Sequence, residues 1–573
     1  MAEINRRAWL GLTVGAAALP AIAAAAATPP AGKVQVVSPG KRPGDYAAAL
    51  DRIRACAEQE MAIWGLPGLT VAVTDETGFE ALLCLGWADR EARIPVSPEH
   101  YFQIGSISKS FAALALFRLA DQGRLDLSAP AAKVLPGAPW PDDPGVTVER
   151  LLSHTSGLPG NAPAFPPVPD QQLWTGFKPG SAFAYSNTAY DLLGKLLTEI
   201  TGLTTPEALQ QLVIRPLGLE GMFSVIRSAD RHLYARSYWP ALADRPPLTG
   251  GPLDRAPWVE VDFAAGPIAS TPSLMARYAR FLMAAGRGRG GPLMSDAAMA
   301  RYVTPVTPAE EFGKGARYAH GLAVTELDGH DCLFHTGGMV SFNSALTVDP
   351  ISGVGAFAST NVGMIPFRPR ATTNYACRVL RALAEGRPLP DPPAMSRDQP
   401  LPNAGDYVGR YVAQDGREFA VSAQNGVPRL STPRGPARME PAAPDVFMTD
   451  DAQLAPLSLA FERRNERVAG CWCGQTFYGR DGATAPAASP ELLALAGTYN
   501  SDSPWEGQVR VFAQGGRLVV GGAPLKPAGG ALWRFEDSEL ACEHVRFEAF
   551  LSGKPTRLSF SGSWYGRLED GIQ

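Results

Sequence analysis

The stretch Gly105-Ser-Ile-Ser-Lys-Ser-Phe-Ala-Ala-Leu-Ala-Leu-Phe-Arg-Leu119 decides how the larger part of this chain is read. Its apolar residues recur at helical spacing, which predicts a helix over 108–122 with alanine and leucine on the buried face. Ser106 and Lys109 are three apart, so they share one face, one turn from each other. A serine hydroxyl is a weak nucleophile and needs a base in contact. Lysine serves when its pKa falls or when a neighbour relays the proton. The helix N-terminus adds positive potential that favours a developing oxyanion. Taken alone, Ser-x-x-Lys is better read as a serine cap with a surface lysine, so the rest of the chain has to arbitrate.

Two further stretches supply matching chemistry. Tyr185-Ser-Asn187 follows Lys178-Pro-Gly180 and precedes a helix predicted over 190–202. A tyrosine beside Lys109 is expected to lose its phenolic proton more readily, because a cation stabilises phenolate. It then acts as base toward Ser106 and as acid toward the leaving group, while the Asn187 amide positions a substrate carbonyl. His335-Thr-Gly-Gly338 ends the apolar run Cys332–Phe334. Its glycines are expected to admit a substrate backbone, and the Gly338 amide to pair with that of Ser106 as an oxyanion hole. Thr336 and Gly337 join the substrate-binding set. A turn tyrosine with a capping Asn, or a strand running into a glycine turn, explains either stretch by itself.

The three stretches together, in this order, resemble the serine β-lactamase and penicillin-binding-protein superfamily, in its class C-like branch. Leu151-Leu-Ser-His-Thr-Ser-Gly-Leu-Pro159 and Gly266-Pro-Ile-Ala-Ser-Thr271 are similar to that family as well, and the resemblance covers roughly residues 66–363. It implies an α+β fold in which a helical domain packs on an antiparallel sheet, with acyl transfer through an acyl-serine and neither metal nor organic cofactor. Under it Ser106 is the nucleophile and Lys109 its proton partner. Tyr185 is the acid/base, His335 a substrate-side and proton-network residue, and Asn187, Thr336, Gly337 and Gly338 bind substrate. Where members that hold a substrate carboxylate carry lysine, this chain has His335, mostly neutral at pH 7. Weaker recognition of a free carboxylate is expected.

Working outward, Arg6 and Arg7 precede an apolar stretch, Ala8–Ala27, that ends in an alanine tract. This reads as an export signal over 1–28, twin-arginine-like or Sec, with a periplasmic or secreted mature protein that keeps no stable membrane insertion. The hydrolase domain is expected over 45–385, and a proline-rich linker, unable to form helix or sheet, over 386–402. Beyond it the chain repeats. Gly409-Arg-Tyr411 and Gly497-Thr-Tyr499 open two halves, and Phe477-Tyr-Gly-Arg480 and Trp564-Tyr-Gly-Arg567 close them. A shared offset of about 88 residues at both ends predicts two small antiparallel β-barrels, over 403–481 and 491–573. This layout resembles that of bacterial D-aminopeptidases, in which a loop of the last barrel reaches the active site. The counterpart here is the hairpin 521–530. It carries Lys526, which repels a substrate ammonium, so an acid such as Asp537 or Glu539 would be required.

Composition narrows the field further. With 573 residues, 45% apolar and 19% charged, the chain is ordinary globular material, and a net charge of −4 gives no reason to expect nucleic acid as a partner. Seven scattered cysteines form no disulfide or metal framework and are expected buried or reduced. His154 reads as structural, His320 as a strand residue packed near the cleft, and Trp174 with the loop 162–169 as a possible lining of it. The function expected is an exported serine hydrolase of amide bonds in small peptides. A carboxylesterase or weak class C-like β-lactamase is the first alternative, and a non-turnover penicillin-binding or glycan-binding module the second. Substrates are small peptides, amides or esters; the oligomeric state is unknown.

Overall fold

The computed structural model describes residues 32–40, 46–165, 172–242, 244–537 and 540–568. The segment read as an export signal, part of the loop 162–169 and Glu539 lie outside them. The chain divides into two compact units. Of the described residues, one holds those up to Trp239 together with Leu253–Met395; the other combines those of Pro240–Pro252 with those from Ser396 onward.

The first unit is built on one antiparallel sheet. Its strands are β1 (Lys33–Ser38), β2 (Gly68–Asp75), β3 (Glu80–Asp89), β4 (Thr307–Pro308), β5 (Arg317–Tyr318), β6 (Ala323–Leu327), β7 (His330–Gly338), β8 (Asn343–Asp349) and β9 (Val354–Thr360), ordered β1-β3-β2-β9-β8-β7-β6-β5-β4. A short strand, Ile94–Pro95, adds onto β3. Strands β2, β8 and β9 are buried along their whole length, because helices cover both faces. Alternation sorts their side chains: Leu69, Val71 and Val73 join a core with helices α1 (Tyr46–Trp64) and α5 (Arg370–Ala384). Ala72 and Phe357 face the other way, toward α2 (Ser108–Asp121), α3 (Asn187–Thr201) and α4 (Pro272–Ala285). The helix expected from residue 190 thus starts one turn earlier: Ser186 caps it by accepting from the Ala189 N–H at 3.0 Å, and Gly202 ends it at φ +72°. His320 stands in the bend between β5 and β6 instead of in a strand.

The second unit contains two closed eight-stranded barrels, from Gly409–Ala413 to Thr476–Arg480 and from Gly497–Asn500 to Ser563–Arg567. The repeated motifs are the seams of these barrels. First and last strands pair through Tyr411 with Arg480 and through Tyr499 with Arg567. Tyr411 and Tyr499 each donate their hydroxyl to a carbonyl four residues back, of Tyr407 and Leu495, both at 2.7 Å. The arginines lie against Gly409 and Gly497, where a Cβ would come within 2.9 and 3.1 Å of the guanidinium. Pro240–Pro252 is held by this unit: the Thr249 N–H donates to Glu440 at 2.9 Å, and Arg510 donates to the Asp244 carbonyl at 2.6 Å. Lys526 is exposed on Ala523–Pro527, opposite Arg534. All seven cysteines are buried. Among the described residues no helix is long and apolar enough to cross a membrane.

Candidate active site

The Ser106 turn is held by backbone on two sides. Ser106 lies in a 3₁₀ turn, Gly105–Ile107, that runs into α2. The Ile104 N–H donates to the Ile268 carbonyl at 3.0 Å, and the Ile268 N–H donates to Ser108 Oγ at 3.1 Å, so the stretch 266–271 fixes the turn from one side. The end of β7 fixes it from the other. A Cβ on Gly337 would sit 1.9 Å from the Ile104 carbonyl oxygen, and one on Gly105, at φ +53°, 2.8 Å from the Gly338 nitrogen. Gly337 therefore admits the backbone of the Ser106 turn, while Gly338 faces the Arg368 guanidinium.

The Leu151–Pro159 loop templates the tyrosine turn. The Gly180 N–H donates to the Thr155 carbonyl at 2.7 Å, the Ala184 N–H to that of His154 at 2.8 Å, and the Asn187 N–H to that of Gly160 at 2.7 Å. His154 Nδ1 accepts from the Ser186 N–H at 3.0 Å, and its ring packs 4.2 Å from that of Tyr185.

These supports converge on Lys109, which is completely buried. Its Nζ donates to Ser106 Oγ at 3.0 Å, Asn187 Oδ1 at 2.7 Å and the Ala265 carbonyl at 2.9 Å. All three acceptors are neutral. Burial pushes the ammonium down to about 7, against the pull of Asp191. The Asn187 amide is occupied at both ends, since its nitrogen donates to Asn161 Oδ1 at 2.7 Å.

Tyr185 shares a hydrogen bond with Ser106, but its phenol moves opposite to expectation. Burial pushes it well above its ordinary value; the Ser106 hydrogen bond and Arg368 act downward and Glu311 upward. The physical reason is geometric: Lys109 Nζ sits over the ring face, 4.9 Å from the centroid, and over that of Tyr190 at 5.4 Å. The tyrosine is a neutral proton donor. His335 is buried, with Nδ1 2.6 Å from the Thr336 carbonyl and Nε2 3.1 Å from the Tyr318 hydroxyl. The carbonyl can only accept, so Nδ1 carries the proton and Nε2 accepts. Burial, reinforced by Lys109, pushes this imidazole down to about 3, so it carries no charge at neutral pH.

Arg368 was not legible in the sequence. Its guanidinium donates to the Ile365 and Phe367 carbonyls at 3.1 and 2.7 Å, and Nη2 stands 2.3 Å from where a Gly338 Cβ would be. No carboxylate within ion-pair distance of it occurs among the described residues. Burial lowers it to about 10, so it stays cationic at neutral pH. A lone arginine between prolines, outside any motif, gave no signal. Glu311, just before Phe312 in the aromatic cluster around Tyr185, was missed for the same reason. Trp174 packs against the helical core, and His320 lies beside Phe117 and 3.7 Å from Glu149.

The Beta-lactamase family profile matches residues 53–380, a span that contains every one of these groups. The chain belongs to the β-lactamase family. It is 29% identical over 320 residues to penicillin-binding protein 4 of Amycolatopsis lactamdurans, across 52% of this chain and 82% of that protein. To a β-lactamase of Providencia stuartii it is 29% identical over 194 residues, 33% of this chain and 49% of the relative, so it spans about half the length of that enzyme. The solved octameric penicillin-binding protein homologue from Pyrococcus abyssi shares the fold, with TM-score 0.53 and 23% identity over 75% of this chain and 99% of that one. As a family member the protein is a hydrolase of the serine β-lactamase and penicillin-binding-protein type.

Proposed function

We propose that this protein is an exported serine hydrolase that cleaves amide bonds of small peptides through an acyl-enzyme on Ser106. The carrying observation is the 3.0 Å contact between Ser106 Oγ and a fully buried Lys109 whose other partners are neutral. Near pH 7 an appreciable fraction of that lysine is unprotonated. Its lone pair takes the Ser106 proton as Oγ bonds to the substrate carbonyl carbon. The negative charge on the carbonyl oxygen is met by the N–H groups of Ser106 and Gly338. As the C–N bond breaks, the Tyr185 hydroxyl protonates the leaving amine and is reprotonated from Lys109. Water then hydrolyses the acyl-serine by the reverse proton path. Asn187 holds the lysine, and His335 with Thr336 fixes the strand end that carries Gly338.

Two charges bear on the substrate. Glu311 supplies an acid within the catalytic unit for a free amino group, without calling on a barrel residue. Arg368 supplies a cation where neutral His335 cannot, which favours a second reading: amides or β-lactams that carry a carboxylate. Turnover of D-alanine p-nitroanilide, its N-acetyl form, an acyl-D-Ala-D-Ala peptide, a chromogenic cephalosporin and p-nitrophenyl butyrate, with Ser106→Ala as control, separates the readings. Best cleavage of the free-amine anilide supports the first. Best cleavage of the carboxylated substrates supports the second. Ester cleavage alone overturns both and leaves a carboxylesterase.

A further inference from the structure

One carboxylate beside the site has no place in the steps above. Asp191 lies on α3 one turn after Asn187, so it shares the helix face that meets Lys109. Its Oδ1 is buried and finds no hydrogen-bond partner among the described residues. A buried carboxylate oxygen left unpaired is costly, which makes a structural purpose a poor account of it. One peptide lies between it and the base: the Ala265 N–H favours the charged Asp191 carboxylate, while the Ala265 carbonyl accepts from Lys109 Nζ at 2.9 Å.

We infer that Asp191 is a positioning residue for the acylation step: through the Ala265 peptide it holds the acceptor that aims Lys109 at Ser106, and its carboxylate is the counter-charge for the ammonium formed when Lys109 takes the Ser106 proton. The inference rests on Lys109 acting as base. Every other group facing the pair is unsuited to this task. His335 is uncharged at neutral pH, Tyr185 and Tyr190 present ring faces to the ammonium, and Arg368 and Glu311 act on Tyr185. Lys195 is a cation, and Asp262, the remaining acid, is exposed and repels Asp191. Burial pushes the Asp191 carboxyl up and the Lys109 ammonium down, so the two contend for a proton across neutral pH.

The test uses the full chain and a fluorophosphonate probe, which needs no knowledge of the natural substrate. Ser106 Oγ bonds to phosphorus, the P–F bond breaks, fluoride leaves and the serine proton passes to Lys109. The labelling rate is followed by intact mass between pH 5 and pH 9. Wild type should show an acid limb set by Lys109. Asp191→Asn removes a negative charge that favours the ammonium, so the limb midpoint should fall by about one pH unit and the plateau should drop. Asp191→Glu should keep the wild-type midpoint. A merely structural role lowers the plateau and leaves the midpoint in place, and that outcome overturns the inference. Should Asp191→Asn fail to fold, Lys195→Glu on the exposed face is read instead: an upward shift supports the inference and an unmoved midpoint overturns it. A wild type that labels at Ser106 without an acid limb sinks the inference alone. A wild type that does not label at Ser106 sinks the proposed function as well.

Discussion

Asp451 of the first barrel and Lys109 of the catalytic unit are both buried charges, yet their surroundings differ in kind. Asp451 accepts from Arg434 at 2.6 Å, Thr432 at 3.0 Å, and the N–H groups of Gln453 and Leu454 at 3.1 and 3.2 Å. Its neighbour Asp445 is met by Arg463 at 3.0 Å and by the Tyr407 hydroxyl at 2.8 Å. Each carboxylate is saturated by opposite charge, and Asp451 is held below its ordinary range. Lys109 touches neutral oxygens only, and Arg368 has backbone carbonyls alone. Saturated charges pin a fold and have no remaining business. Under-paired ones keep their protonation state negotiable, or keep a charge on offer to a ligand, as turnover requires.

That contrast can be broken at several depths. Ser106→Ala and Lys109→Ala should each lower kcat by roughly four orders of magnitude or more, and the double variant hardly further, because the two act as a unit. Tyr185→Phe should cost on the order of a hundredfold through loss of the leaving-group proton; near-normal turnover would remove that role. Next in size, Arg368→Gln should raise KM for carboxylate-bearing substrates by about 10- to 100-fold, the worth of one charge-assisted contact. p-Nitrophenyl butyrate should be untouched, and equal losses on both would mean that Arg368 is as structural as Arg434. In the barrel unit, Asp451→Asn should cost about 1–2 kcal/mol, discounted because Arg434 is 40% exposed. Calorimetry should place that loss in the barrel transition with kcat/KM unchanged.

The smallest effect separates the two buried imidazoles. Burial, helped by Arg546 and Arg534, pushes His544 down to about 4. Its folded pKa lies below the unfolded value near 6.5, so the unfolded chain binds the extra proton first and stability is lost as pH falls through that window. Between pH 7 and pH 5.5 the barrel should lose about 1 kcal/mol, a loss that His544→Gln removes in thermal melts. Because His335 is pushed down to about 3, the acid limb of activity should belong to Lys109 and survive a change at residue 335.

How much of this was legible follows from where the information sits. Ser106, Lys109, Tyr185 and His335 are visible because each lies in a short stretch whose spacing is fixed by a turn. The barrels are visible because two seams repeat. Arg368, Glu311, Asp191 and Ala265 are invisible because their importance comes from tertiary approach: a loop after β9, a residue before β5, the second turn of a helix and one peptide of a coil. The direction of the Tyr185 shift was misread for a related reason. Sequence places an ammonium near a phenol, but only the fold says that it meets the ring face and that Tyr185 packs in one cluster with Phe183, Phe312 and Tyr318. Likewise, sequence offers both β7 glycines to a ligand, and only the fold shows that Gly337 lies against the Ile104 carbonyl and Gly338 against Arg368.

The seams carry a consequence for biogenesis. In each barrel the strand that opens the half pairs with the strand that closes it, Tyr411 with Arg480 and Tyr499 with Arg567. A ribosome delivers the closing partner last, after every intervening hairpin, so closure is the most non-local event in either half and sets a slow step in its maturation. Until Tyr565-Gly-Arg567 emerges, the nascent second barrel presents an unpaired edge to any passing strand, its own sibling included. Two near-copies in tandem thus carry a standing risk of exchanging strands, and the differing sequences between their matching ends, such as the Leu518–Val520 run against Leu430–Thr432, are what tells one edge from the other.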